Sequence, residues 1–462
     1  MNRLRRFVDA RLQPPYLSVA AGAIVAVSLV LVVTLFFTSN RGRTAFGIPL
    51  GADFSGFYVA AEILDRGEPQ QLYDRELHHR LYHELLPNED PRESIPYVHP
   101  PFVAGFLRPL AWLPYETAVG IWLVISASLY IAAMILFLES IPWPEKKQSV
   151  ESAAGSHRYS IARRALEQYG FVVLLAVSFE PFAFECWLGG QLSAIAFCSY
   201  ALCFAARQRG KPLLAGTALG LCFYKPTLLL LTLPMLVIGR RWQMLLGMTI
   251  TGAALAMASL LLVGWDVNIG YLDVLLSFRK STSEGDLEIR TWKYVDLNNC
   301  LRLLLGGGSP FQLPLLAIVG VLPFVFLARF WWKWDRLDED QRTTLWAATI
   351  TWTPVLNLYF GIYDSILIVQ SVLMTVASLC LRSKSETPLT NSGVAYLLLL
   401  IYLVPWFSQI LARMTGVPLY TLLLMGLGSY QFGRLLVARQ KMRQECINLC
   451  KEKPHAQRTI ND

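Results

Sequence analysis

Long uncharged apolar runs alternate with short polar breaks along nearly the whole chain. The first run, 16–38, exceeds the roughly 20 residues a helix needs to cross a hydrocarbon core. It is longer than a secretory signal's core and no small-residue cleavage site follows, which predicts a retained first helix. The polar stretch over 39–98 is far longer than a helix connector requires. It holds an amphipathic stretch through Leu64 and a further segment over 74–86. His99-Pro100-Pro101-Phe102 then opens a short apolar segment ending near Pro114, and 117–138 reads as a full helix.

The stretch 139–168 carries Lys146, Lys147, Arg158, Arg163 and Arg164, a charge that predicts a cytoplasmic loop and makes 99–114 re-entrant; if 99–114 crosses instead, this basic loop lies outside and breaks the rule. Two helices over 171–187 and 192–206 follow, joined by Leu188-Gly189-Gly190-Gln191. The segment 212–239 is basic at both ends, so it needs an even number of passes. It reads as two short helices of about 20 Å each, broken at Lys225-Pro226 because proline cannot continue the hydrogen-bond ladder. A helix over 244–263 leads into a second polar loop, 264–299, and further runs lie at 313–330, 343–362, 365–381, 394–411 and 417–437. A basic tail, 438–462, closes the chain. The pattern predicts an all-α polytopic membrane protein forming a single domain over 1–462, with roughly 10–12 transmembrane or re-entrant helices.

Composition agrees. Hydrophobic residues make up 54% of the 462, charged residues only 16%, and mean hydropathy is +0.42, which leaves too little charge to cover a soluble surface. The formal charge of +8 sits in clusters at the ends of apolar runs: Arg3, Arg5 and Arg6; Arg207, Arg209 and Lys211; Arg240 and Arg241; Arg439, Lys441 and Arg443. This positive-inside pattern places both termini in the cytoplasm and argues for membrane lipids and against nucleic acid as a partner. Trp331, Trp332 and Trp334 among Arg329, Lys333 and Arg336 mark an inner interface. Most of the eight cysteines lie inside apolar runs, as small core residues do.

Acids near hydrocarbon are costly and therefore informative. Asp53 opens the first polar loop, where it can act as a general base on a hydroxyl or merely cap the helix that follows. Lys225, at the break in its segment, can neutralise a phosphate or snorkel to the interface. Gln191 can bind a sugar hydroxyl, or the pair of glycines before it can simply form a turn. Asp364, with Tyr363, can orient an acceptor, assist Asp53 or cap the helix from Ser365. His99 can bind phosphate or sugar, or anchor the bend before its two prolines. Glu180 and Glu185 can bind substrate or meet an aqueous cavity, and Arg290 and Lys293 can contact phosphate or lie in a solvated loop. His79 and His83 have the spacing of two zinc ligands without the glutamate of HExxH, and with His78 they read as part of a solvated amphipathic helix. Gly306-Gly307-Gly308 lacks the lysine of a phosphate-binding loop.

Asp53-Phe54 with Phe57-Tyr58-Val59-Ala60-Ala61, then Gly67, Pro69 and Leu72-Tyr73-Asp74, resembles glycosyltransferase family 87. Three further segments are similar to the same family in the same order: Tyr97-Val98-His99-Pro100-Pro101 with Pro109-Leu110-Ala111; Gly190-Gln191 with Ala215-Gly216 and Lys225-Pro226; and Thr353-Pro354 with Tyr363-Asp364. The resemblance implies a GT-C fold and a site on the extracytoplasmic side. It further implies a polyprenyl-phosphate sugar donor, a lipid or glycan acceptor, and inversion at the anomeric carbon. On it Asp53 is the base and the transferred group is a hexose, mannose being one that members of the family transfer. A histidine that family members commonly carry near Tyr363 is missing here, where Gly361-Ile362 stands. A donor with one phosphate needs no bridging cation, so neither metal nor cofactor is expected. The rival reading is a transporter or a lipid or glycolipid flippase, because broken helices and intramembrane charges also build transport sites.

Overall fold

The computed structural model describes residues 14–40, 43–44, 49–87, 95–143, 170–283, 291–306, 309–382 and 392–456. Most of the 139–168 loop and Arg290 fall outside them, as do the side chains of the basic tail. Among the described residues the chain is helical, and its extended contacts are isolated bridges. Among the described residues five helices are long and apolar enough to cross a membrane, or up to seven spans if each of two bent pairs counts as one. The segments expected as transmembrane or re-entrant thus divide into full crossings, bent pairs and shorter apolar pieces. Side chains such as Val19, Val27, Val30 and Phe37 on the first helix, α1 (Pro14–Phe37), are exposed. An apolar surface of this kind suits lipid.

The first polar stretch folds into two helices, α2 (Phe54–Asp65) and α3 (Arg75–Leu85). Helix α2 is buried on almost every face and packs on α4 (Pro101–Ala111), whose 11 residues reach only about 17 Å and cannot span a bilayer. Asp65 at the end of α2 accepts from Arg108 Nε at 3.1 Å and Trp112 Nε1 at 2.8 Å, tying the two helices at one end. His78 is not solvated as expected: its ring is buried and Nε2 donates to Leu72 O at 2.8 Å.

Helix α5 (Tyr115–Ser140) crosses and packs on α7 (Ser193–Gln208). Between them the expected single helix over 171–187 is broken. Helix α6 (Gly170–Val177) stops, and a π-helical segment, Pro181–Leu188, continues at 59° to it. Pro181, which lacks an amide hydrogen, stands at the start of the new direction. The next segment breaks as its proline predicts. Helix α8 (Pro212–Gly220) tightens into a 3₁₀ turn, Leu221–Tyr224; Lys225 leaves the helical region at φ −145° and ψ 82°, and a second 3₁₀ turn, Pro226–Leu229, leads to α9 (Thr232–Ile238).

The second polar loop begins later than expected. Helix α10 (Trp242–Ser283) runs on through 264–283 with one non-helical residue, Gly264, at φ 79°. Glycine takes that backbone angle without a Cβ penalty, so the helix turns there and resumes. The true loop holds a 3₁₀ turn, Thr291–Lys293, and α11 (Leu297–Leu305), capped by Asp296. Helix α12 (Gln312–Trp331) follows, and Trp331 and Trp334 turn inward while Trp332 is exposed.

The helices expected over 343–362 and 365–381 are also redrawn. Helix α13 (Glu339–Val355) ends just after Pro354; residues 356–361 are non-helical; and a 3₁₀ turn, Ile362–Ile366, precedes α14 (Leu367–Arg382). The run 394–411 becomes α15 (Ser392–Leu403) and α16 (Pro405–Thr415), bent by 76° at Pro405, and α17 (Leu419–Ala456) carries the chain into its tail.

Candidate active site

The first element of the site is a strained turn. Gly51 at φ 71° and Ala52 at φ 36° both adopt left-handed backbone, and Ala52 has a Cβ to accommodate. The turn is fixed by Phe54 N donating to Gly51 O at 2.7 Å and Ser55 Oγ donating to Ala52 O at 2.7 Å. Helix α5 clamps it: Tyr115 donates to Leu50 O at 2.5 Å, and Trp122 stacks on Phe54 with centroids 5.9 Å apart.

Asp53 is the next residue. It stands at the N-cap position of α2, but its side chain makes no capping bond. Its carboxylate accepts from the Gln191 side-chain amide, and its backbone N donates to Gly189 O at 3.0 Å. The glycine turn is more than a hairpin tip. Gly190, at φ 70°, lies so close to the Asp53 turn that a Cβ there would meet Gly51 O at 2.5 Å and Phe54 Cβ at 2.6 Å. Trp122 Nε1 donates to Gly190 O at 3.1 Å, so one indole holds both halves of the junction.

Lys225 provides the second element. Its ammonium pairs with the Asp364 carboxylate, lies 3.3 Å from the Tyr363 hydroxyl and sits over the Tyr363 ring at 4.6 Å. Ser193, two residues after Gln191, donates to the other Asp364 oxygen at 2.7 Å. Asp364 is buried within a 3₁₀ turn and does not cap α14. Its oxygens are committed to Lys225 and Ser193, which leaves little room for the acceptor contact expected of it.

Gln191 and Ser193 connect the two elements along the chain, since the first donates to Asp53 and the second, two residues on, donates to Asp364. The second loop buttresses the Asp364 turn. Tyr294 bridges to Gly361, Val295 N donates to Phe360 O at 2.9 Å, and Asp296 accepts from Phe360 N at 3.1 Å as well as from Asn299 N at 2.9 Å. Burial pushes the Asp296 carboxyl up to about 6 despite those donors.

His99 joins the cluster in a form that sequence could not settle. Nδ1 lies 3.1 Å from Tyr224 O, and a carbonyl oxygen only accepts, so Nδ1 carries the proton. Burial, with the nearby Lys225 charge, lowers the ring to about 4, so it is neutral at pH 7. Nε2 is then an acceptor, suited to a sugar hydroxyl and unsuited to phosphate.

Glu185 accepts from Gln409 Nε2 at 2.5 Å. Glu180 is not brought to the cluster; it is buried at the break before the π-helical segment, with one oxygen lacking a hydrogen-bond partner among the described residues. Ser193 and Tyr294 were missed by sequence reasoning, and only Ser193 carried a signal, as a near neighbour of Gln191.

The bundle and the cluster define a polytopic membrane protein with a polar site assembled from the first long loop and several broken helices. The sequence profile of glycosyltransferase family 87 matches residues 97–358, more than half of the chain, and the chain belongs to that family. It is a membrane glycosyltransferase. Gln191 and Lys225 lie within the matched residues, whereas Asp53, Tyr363 and Asp364 lie outside them. No curated protein and no solved structure matches the chain.

Proposed function

We propose that the protein transfers a hexose, with mannose the first to test, from a polyprenyl-phosphate sugar to a hydroxyl of a lipid or glycan acceptor, on the extracytoplasmic face and with inversion. The observation that carries this reading is the placing of the Asp53 carboxylate. It is held on a strained turn, makes no side-chain capping bond, and is oriented by Gln191, two residues before the Ser193 that donates to the Asp364 partner of Lys225.

Asp53 accepts the proton of the acceptor hydroxyl as its oxygen bonds to the anomeric carbon. The bond from that carbon to the phosphate oxygen breaks, and the electron pair stays on the phosphate. Lys225 faces the charge that develops there. Gln191 fixes the carboxylate, and His99 Nε2 accepts from a sugar hydroxyl. Attack from the side opposite the leaving group inverts the centre.

The test is transfer of a radiolabelled sugar by purified protein in lipid vesicles, with a membrane-lipid extract as the acceptor pool and several polyprenyl-phosphate sugars as donors. A labelled product of inverted configuration, formed from one such donor and absent with Asp53→Asn, is expected. Silence across the donor panel defeats the donor assignment, and a retained configuration defeats the single displacement.

A further inference from the structure

The Lys225–Asp364 pair has an unusual exposure. Asp364 is wholly buried, while Lys225 keeps 17% of its side chain exposed, so an arriving group meets the lysine first. Asp364's other oxygen is held by Ser193 at 2.7 Å. A carboxylate so placed subtracts from the field that the ammonium presents to an anion.

The lipid species that meet Lys225 in the proposed reaction differ in charge. The donor phosphodiester carries one negative charge. When its bond to the sugar breaks, the electron pair remains on the phosphate oxygen and the acceptor's proton goes to Asp53. The lipid monophosphate left behind therefore carries nearly one charge more, since the second ionisation of a phosphate monoester falls near pH 6. A lysine without a counter-ion would hold this product more tightly than the donor, and its departure would limit turnover.

We infer that Asp364 is a positioning residue that promotes product release: it fixes Lys225 and offsets enough of its charge that the lipid monophosphate is not retained. The inference rests on the lipid-phosphate donor proposed above.

Inhibition of wild type, Asp364→Asn and Ser193→Ala by a short-chain polyprenyl monophosphate, with the neutral polyprenol as control, tests it. Asparagine keeps an acceptor for Lys225 and removes the charge. Alanine at 193 removes a donor from Asp364 and leaves more of its charge facing Lys225. Asp364→Asn should lower the inhibition constant about tenfold, the scale of coupling between close charges, and produce a burst of product before a slower steady state. Ser193→Ala should raise the constant. Opposite shifts are the signature, because a merely structural role would weaken both variants together.

An unchanged or raised constant in Asp364→Asn, in protein that unfolds at the wild-type temperature, overturns the inference. If that variant does not fold, Ser193→Ala decides: a constant raised more for the monophosphate than the KM is for the singly charged donor supports it, and an equal rise in both or no rise overturns it. Wild type unaffected by polyprenyl monophosphate would sink the donor reading itself, and this inference with it.

Discussion

Asp53→Asn separates chemistry from structure more cleanly than any other substitution in the site. Asparagine retains the backbone bond to Gly189 O and, with its carbonyl turned to Gln191, the side-chain hydrogen bond as well. That bond changes from charge-assisted, worth about 1.5–3 kcal/mol, to neutral, worth about 0.5–1.5 kcal/mol, so folding should lose only about 1 kcal/mol. The loss of a general base is larger, about 10²–10⁴ in rate. That corresponds to about 3–5 kcal/mol of barrier. Single-turnover transfer in vesicles, with donor binding measured separately, should show the rate falling by that factor while donor affinity stays within about threefold. Asp53→Glu should fall between, because misplacing a carboxylate by about 1 Å costs up to about 10². A turnover in Asp53→Asn within threefold of wild type would falsify the assignment. So would a fall in rate accounted for by lost donor binding.

Three further outcomes follow from the same geometry. Gly190→Ala should abolish transfer, because a left-handed backbone costs a non-glycine residue about 1–2 kcal/mol and its Cβ would strike Gly51 O and Phe54; wild-type activity in that variant would show that the Gly190–Asp53 junction is not needed. His99 titrates near 6.5 in an unfolded chain but near 4 when folded, so between those values the unfolded state holds more protons. Stability is therefore present above about 6.5 and lost as pH falls towards 4, by up to about 3 kcal/mol; thermal unfolding across this range should be less pH-dependent in His99→Gln, and an unchanged slope would contradict the buried neutral ring. Asp296→Ala should cost about 2–4 kcal/mol by orphaning the Asn299 and Phe360 amides. It should also lower transfer by loosening the Tyr363–Asp364 turn, whereas unfolding at the wild-type temperature would show the cap to be idle.

The sequence by itself determined that this chain is a polytopic helical membrane protein, and its resemblance to glycosyltransferase family 87 implied the transfer chemistry. Uncharged runs longer than a bilayer's hydrocarbon core leave few alternatives, and acids beside hydrocarbon stand out as costly. It also marked Asp53, Gln191, Lys225 and Asp364 as candidates, since each is polar where an apolar or turn residue would serve.

Only the tertiary structure decided what these residues do to one another. The runs over 171–187 and 394–411 read as continuous, yet both bend at a proline, by 59° and 76°, because whether a proline ends a span or bends it depends on what packs across it. Asp53 and Gln191 are 138 positions apart, and Lys225 and Asp364 are 139 apart. No local pattern encodes such pairings, because they are set by how α5, the π-helical segment and the 3₁₀ turns pack. The same holds for His99. Its chemistry follows from one backbone carbonyl 125 residues away, which fixes the proton on Nδ1 and leaves Nε2 to accept.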